Sequence, residues 1–256
     1  MKISYQVQIG KYKDNCEDHA LVCSADKTFV LNNTRGELEI NLPAVITVAD
    51  GVGGNPGGYE ASKFVVEEIG NQFQKCRESD FSEDPLKDIY NNINAKLIDY
   101  ARSINGKKQM ATTCSSIFLT EDKGILIHSG NTRISVLNRM FIKQLTDDHT
   151  TYQWLRDTGN YEAAENCNKC EITSCLGGGT EKNLSRLDTK IFYSNNQTPE
   201  VTLMTSDGIH EYVSLDFIED VINNGSLSDL DKTEELVREA LKNGSEDDKT
   251  ILIIRI

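Results

Sequence analysis

A chain of 256 residues with 38% hydrophobic and 26% charged content can bury a substantial core and reads as a globular protein. Its net charge of −13 argues against nucleic-acid binding as the main task, since that needs clustered Lys and Arg. No apolar run approaches the length of a membrane span, so no membrane role is expected.

Residues 2–9 alternate like a strand and lack the apolar run of a signal peptide. The seven cysteines are scattered and odd in number, and read as mostly reduced thiols. A cytoplasmic location is expected on both grounds. After the polar turn 10–15, Cys16-Glu17-Asp18-His19 leads into a second apolar strand, Ala20 to Cys23. Neighbours on a strand point to opposite faces, so Glu17 and Asp18 do not share a role. The strand Val45 to Ala49 ends in Asp50, and a glycine-rich turn, Gly51 to Gly58, follows. This turn lets a carboxylate and a backbone carbonyl meet at one point, a suitable pair for a hard cation. Taken alone it equally suits an ordinary strand-to-helix turn.

A helix is predicted over about 57–76, with Ala61, Phe64, Val65, Ile69 and Phe73 on its apolar stripe. A second runs over about 85–103, opening at Pro85 and burying Ile89, Ile93, Leu97, Ile98 and Ala101. Both stripes read as core. Short strands at 112–119, 125–128, 133–138 and 141–145, joined by tight turns, read as one antiparallel meander. Residues 150–186 are polar and irregular, with helices at 151–158 and 161–167. Strands follow at 187–193 and 201–205. Ser206-Asp207-Gly208 then repeats the arrangement at Asp50, opening a helix over 209–223. A helix at 230–242 and a strand at 250–256 close the chain, the strand preceded by Asp247-Asp248. No linker or repeat interrupts 1–256, which reads as one domain.

Asp50, Asp207 and Asp247 thus stand at separate strand ends, and Glu17 makes a fourth acid. Carboxylates and a backbone carbonyl suit Mg²⁺ or Mn²⁺ better than zinc. Two ions sharing a carboxylate can lower the pKa of a water between them and orient a phosphoryl oxygen, which suits in-line hydrolysis of a phosphate ester. A nearby basic side chain would hold the phosphate. No phosphate-binding Gly-x-x-x-x-Gly-Lys loop, Gly-x-Ser-x-Gly elbow or His-Glu-x-x-His helix is present.

Cys16-Glu17-Asp18, Val48-Ala49-Asp50-Gly51-Val52-Gly53-Gly54 with Ala61-Ser62, Ala111-Thr112-Thr113, Gly130-Asn131-Thr132-Arg133, Leu145-Thr146-Asp147-Asp148-His149, Ser206-Asp207-Gly208 and Asp247-Asp248-Lys249-Thr250 span nearly the whole chain. In that order they resemble the type-2C, metal-dependent protein serine/threonine phosphatases, in the bacterial form with a single catalytic domain. The resemblance implies an α+β, four-layer αββα sandwich: two central antiparallel sheets flanked by helices, with the metals at one end between the sheets. It implies hydrolysis of phosphoserine and phosphothreonine in proteins by a metal-activated bridging water, on substrates made by a Ser/Thr kinase. Asp50, Asp207 and Asp247 would be the catalytic aspartates. Asp50 would bridge two Mn²⁺ or Mg²⁺ ions. Asp207 and Asp247 would hold the first ion, and Glu17 with the Gly51 carbonyl the second. Asp18 would stand behind them, bonding ligands or metal water. Residues 150–186 would form the variable flap that selects substrate.

The chain departs from the family pattern at several places. Lys13 stands where the family has the Arg that grips the substrate phosphate, and supplies charge without a planar fork. Cys16 replaces an Asn. Asn131 replaces an Asp that helps hold a third ion, which argues against a third ion here. Val52 stands where animal members carry a His proposed as general acid. Arg133 and His149 are expected to brace the structure, and His19, His128 and His210 to be ordinary. Cys167, Cys170 and Cys175 are too few to complete a structural zinc site by themselves. Cys16, beside the expected metals, is a candidate for oxidation sensitivity. Lys13, Cys16 and Asn131 motivate an alternative: a degenerate phosphatase that binds phosphoprotein without hydrolysing it. The intact acids argue against it. A metal-stabilised scaffold is a third and more distant reading.

Overall fold

The computed structural model describes residues 1–256 other than 54–56, 78–79, 105–106, 108, 180–182 and 195–197. The middle of the glycine-rich turn after Asp50 and positions 180–182 of the expected flap therefore lie outside the described residues. Two antiparallel sheets of six strands each stack face to face. The first runs β10 (Phe141–Gln144), β9 (Arg133–Asn138), β13 (Thr202–Thr205), β14 (Lys249–Arg255), β1 (Lys2–Gln8), β4 (Thr34–Glu39). The second runs β12 (Asp188–Ser194), β8 (Lys123–Ser129), β7 (Cys114–Leu119), β5 (Ala44–Asp50), β2 (Asp18–Ser24), β3 (Thr28–Leu31). A two-residue ladder joins β6 (Ala111–Thr112) to β11 (Leu176–Gly177).

Strand periodicity builds the layers. Along β14, Leu252 and Ile254 join β1 Ile3 on the inner face, where they meet Val22, Ile46 and Val48 of the other sheet. The intervening Ile251 and Ile253 face outward and are covered by α6 (Leu215–Asn223) and α7 (Asp229–Lys242) through Ile218, Val221, Leu236 and Val237. On the opposite side, α1 (Gly58–Phe73) and α2 (Glu83–Ser103) cover Leu21, Val45 and Phe118 with Val65, Ile69, Phe73 and Leu97. Central strands buried on both faces are largely apolar, which is why β5 carries Val45, Ile46 and Val48 and β14 runs from Ile251 to Ile254 without a polar residue. Truncating a core Leu or Ile here costs roughly 2–5 kcal/mol in lost transfer energy and cavity. The result is the expected helix–sheet–sheet–helix sandwich. Among the described residues no helix is long and apolar enough to cross a membrane.

Three expectations need correction. The strands β3 and β4 were not read from the sequence, because their mixed polar faces at the sheet edges carry little apolar signal. The single meander is instead divided: β7 and β8 lie in one sheet, β9 and β10 in the other. The crossing is made at Gly130, whose φ of 119° suits glycine and where a Cβ would strike Thr113. The helix expected over 209–223 is two helices, α5 (Asp207–His210) and α6, separated because the Ser214 side chain caps α6 by accepting from Phe217 N at 3.3 Å. Outside the layers, α3 (Thr151–Asp157) and α4 (Tyr161–Asn166) pack on each other as a small hairpin.

Candidate active site

Strand register brings the acids together. Asp18 opens β2 directly opposite Asp50, which ends β5. Asp50 is held by its backbone: its N–H donates to Thr113 Oγ1 at 3.0 Å, and its carbonyl accepts from Thr113 N at 2.8 Å and Thr112 Oγ1 at 2.9 Å. The two threonines of Ala111-Thr112-Thr113 therefore fix where this carboxylate emerges. Gly51 follows with its N–H bonded to the Glu17 carbonyl at 3.1 Å. A Cβ on Gly51 would lie 2.5 Å from the Gly58 backbone, so only glycine lets the turn close against the start of α1. Glu17 lies against that same turn, its backbone carbonyl accepting from Ser62 Oγ at 2.5 Å. His19 in turn holds Ser62, Nδ1 to Oγ at 2.9 Å, and so braces Glu17 without reaching the acids.

As strand alternation requires, Asp18 turns away from Glu17 and is fully buried. Its Oδ2 accepts from Ser206 Oγ and Thr250 Oγ1, both at 2.7 Å, which ties β2 to the turn that presents Asp207 and to β14. Its Oδ1 has no partner among the described residues. Asp207 accepts from Asn131 Nδ2 at 3.0 Å. Asn131 Oδ1 likewise has no partner among the described residues.

The charges strain one another. Burial, then the Asp248 charge, pushes the Asp18 pKa up to about 7. Burial, then Asp247 and Glu211, pushes Asp207 up to about 6. Burial, then Asp18, Asp207 and Asp247, holds Asp50 well above the usual carboxylate range, against the opposing Lys13. Carboxylates that raise each other's pKa in this way call for positive charge among them. Lys13 supplies some. Its Nζ lies 2.5 Å from Asp247 Oδ1, 2.9 Å from Asp248 Oδ2 and 3.3 Å from Glu17 Oε2. Burial opposes the ammonium, but the bonds to Asp247 and Asp248 outweigh it and hold its pKa well above the ordinary lysine value. The oxygen donors, the acid crowding and the unpartnered Asp18 Oδ1 fit a hard divalent cation. Among the described residues no three carboxylate, thiol or imidazole side chains already converge as a cage for one.

Glu17, Asp18, Asp50, Gly51, Asp207, Asp247 and Lys13 are thus gathered at one end of the sandwich. Sequence reasoning missed Asp248. This residue is almost fully buried; its Oδ1 accepts from Gly10 N at 2.7 Å, and its Oδ2 from Glu17 N at 2.8 Å and from Lys13. The signal was available: Asp247-Asp248 precedes a strand just as Glu17-Asp18 does, and the same alternation sends one acid out and the other in. Arg133 grips Asp148 through Nε and Nη2, at 3.0 and 2.6 Å, and His149 Nε2 lies 3.0 Å from Asp188 Oδ2, so both brace loops as expected.

Two hollows flank the Asp50-Gly51 turn. One, of about 300 Å³, is lined by Lys13, Glu17, Tyr59, Glu60 and Lys107. The other, of about 500 Å³, runs from Val52 along the segment after α4 and includes Cys170, Cys175 and Ser185. Cys170 donates to Glu211 Oε2 at 3.3 Å, and burial followed by Glu211 pushes its thiol up to about 12. All seven cysteines are free. Cys16 is buried and donates to the Asp18 carbonyl, and burial, then Asp18 and Asp248, raises its thiol far above the usual range.

The protein phosphatase 2C family model matches residues 37–249 of this chain. A serine/threonine phosphatase stp of Listeria welshimeri is 27% identical over 219 residues, covering 84% of each chain. The crystal structure of serine/threonine phosphatase Stp1 from Staphylococcus aureus superposes with a TM-score of 0.81 at 26% identity, covering 99% of this chain and 94% of that one. The catalytic domain of the serine/threonine protein phosphatase PstP, solved in complex with two manganese ions, shares the fold with a TM-score of 0.72 at 19% identity, covering 99% of this chain and 98% of that one.

Proposed function

This chain belongs to the protein phosphatase 2C family, and on that premise we propose which of its residues perform the reaction. It is a metal-dependent protein serine/threonine phosphatase that hydrolyses phosphoserine and phosphothreonine in phosphoproteins. The observation that supports the site assignment is the geometry around Asp18: it lies opposite Asp50 in the strand register, and its Oδ2 accepts from Ser206, next to Asp207, and from Thr250, three residues after Asp247.

In this reading Asp50 would be shared between two ions, Asp207 and Asp247 would hold one of them, and Glu17 with the Gly51 carbonyl would hold the other. The ions are Mn²⁺ or Mg²⁺; the manganese of the PstP structure and the all-oxygen donor set support this. When bound, such ions lower the pKa of a water, orient the phosphoryl group and offset its developing charge. The chain's own part is positioning. Thr112 and Thr113 fix Asp50, and Asp18 fixes Ser206 and hence the turn carrying Asp207. Asn131, neutral where the related phosphatases carry an acid, donates to Asp207 and speaks against a third ion. The Lys13 ammonium lines the hollow beside Glu17, as does Lys107, and being the one set against the site's acids it would offset the charge of the substrate phosphate. The chain acts in this reading as one catalytic domain, and residues 150–186 select among substrates, since the larger hollow runs along them. The substrates are products of a Ser/Thr kinase in the cytoplasm, and the protein serves signalling; the acidic charge supports a protein substrate over nucleic acid.

Hydrolysis of p-nitrophenyl phosphate by wild type and Asp207→Asn, with and without Mn²⁺, tests the assignment. Manganese-dependent release should fall at least about 100-fold in the variant, the scale of several kcal/mol of lost charge stabilisation, with an unchanged circular dichroism spectrum. Undiminished turnover in a folded Asp207→Asn protein would remove Asp207 from the site.

A further inference from the structure

We infer that the Lys13 ammonium is the counter-ion of the metal-free site, and that divalent ions enter by displacing it from Glu17 and Asp247. The inference rests on the reading above that these acids take such ions. It names the residue that sets how tightly they do.

The geometry is one ammonium against three carboxylates. Asp247 Oδ1, Asp248 Oδ2 and Glu17 Oε2 lie at 2.5, 2.9 and 3.3 Å from Nζ. An ammonium carries three N–H donors and no acceptor, so each proton has a carboxylate to meet. The three acids differ. Asp248 is almost fully buried and is also held by the backbone of Gly10 and Glu17, so it is a fixed anchor. Asp247 and Glu17 are 44% and 24% exposed and are the acids assigned to the two different ions. A single side chain therefore holds one acid of each ion's set together.

Lysine suits this task because its charge is compact and sits on a flexible stem, much like a small ion; a planar guanidinium would pair edge-on with one carboxylate. Two outcomes follow. The metal-free protein keeps its acid end folded without an ion, and each ion must compete with a charge-assisted hydrogen bond already made. After displacement, the stem lets the ammonium turn toward the hollow lined by Lys13, Glu17 and Tyr59, where the substrate phosphate would lie.

The test is calorimetric titration of metal-free wild type, Lys13→Met and Lys13→Gln with MnCl₂, beside thermal melting of each with and without saturating Mn²⁺. Lys13→Met should bind Mn²⁺ about tenfold tighter, the worth of one charge-assisted hydrogen bond. Its metal-free form should melt about 4 °C lower than wild type, and the gap should close at saturating Mn²⁺. Lys13→Gln, which keeps a donor but no charge, should lie between the two and carries the comparison if metal-free Lys13→Met does not fold. Equal Mn²⁺ affinity in wild type and both variants overturns the inference while leaving the metal assignment intact. An equal melting deficit with and without Mn²⁺ makes Lys13 a plain brace and also overturns it. If no protein in the series binds Mn²⁺, the metal assignment itself fails, and this inference with it.

Discussion

The acid end and the flap, though neighbours, are built on opposite terms. At the acid end, side chains emerge from strands whose register is dictated by the core: Asp18 faces Asp50 because β2 and β5 pair along their whole length. Asp18 Oδ2, Asp50 and Asp248 are each held by two or more bonds from the protein, and among the described residues Asp18 Oδ1 and Asn131 Oδ1 are left without a partner. In the flap, α3 buries no residue and α4 buries only Ala164. Trp154 and Tyr161 are 59% and 62% exposed. The segment is tied to the body mainly beyond its two helices, by Thr173 N to the His149 carbonyl at 2.8 Å, Gly177 N to Asn94 Oδ1 at 2.8 Å and Gly178 N to the Met110 carbonyl at 2.9 Å. The lesson is that the acids stand where the core dictates position, whereas the side chains of the two small helices stand where little else packs against them. The Asp207→Asn and Lys13 experiments probe the first region from within; three further measurements probe the contrast.

The largest effect on stability should come from Thr113→Val. It leaves the buried Asp50 N–H without its acceptor, and should cost about 1–3 kcal/mol in denaturant unfolding while displacing Asp50 and lowering turnover. Wild-type stability and turnover in that variant would mean that the strand register alone positions Asp50.

A smaller, pH-dependent effect should come from His128, where the two regions meet. It is fully buried between Ser115 Oγ and the Asp147 carbonyl, and burial, then the neighbouring His149, lowers its pKa to about 3. The unfolded chain takes up a proton near pH 6.5, and the folded protein does not until about 3. Stability should therefore fall as pH drops through that window, with this residue adding about 1 kcal/mol per unit. Unfolding curves of His128→Gln at pH 7, 6 and 5 should show a shallower decline than wild type; parallel declines would place the proton elsewhere.

The smallest effect on stability should be that of Trp154→Ala, within about 0.5 kcal/mol because the side chain packs against so little. If the flap selects substrate, its KM for a phosphothreonine peptide should rise while p-nitrophenyl phosphate turnover stays unchanged. A KM that is unmoved for a panel of phosphopeptides would argue that Trp154 takes no part in selection.

Sequence alone carried much of this. Local periodicity located β1, β2, β5, α1, α2, α7 and β14 to within a few residues, because each has a buried face that repeats in step with its own geometry. It also picked out the strand-end acids, since a carboxylate at the end of an apolar run has no hydrophobic reason to be there. Only tertiary structure could divide the strands of 112–145 between two sheets, because pairing partners lie far apart in sequence and a turn at Gly130 looks the same whether it closes a hairpin or crosses between layers. It alone showed the role of Asp248, buried by the approach of Gly10 and Lys13 from more than 230 positions away. It alone showed that Lys13 faces carboxylates. A lysine in a loop carries no record of what stands opposite it: periodicity reports which way a side chain points along its own segment, and charge pairing depends on which distant segment the fold sets against it.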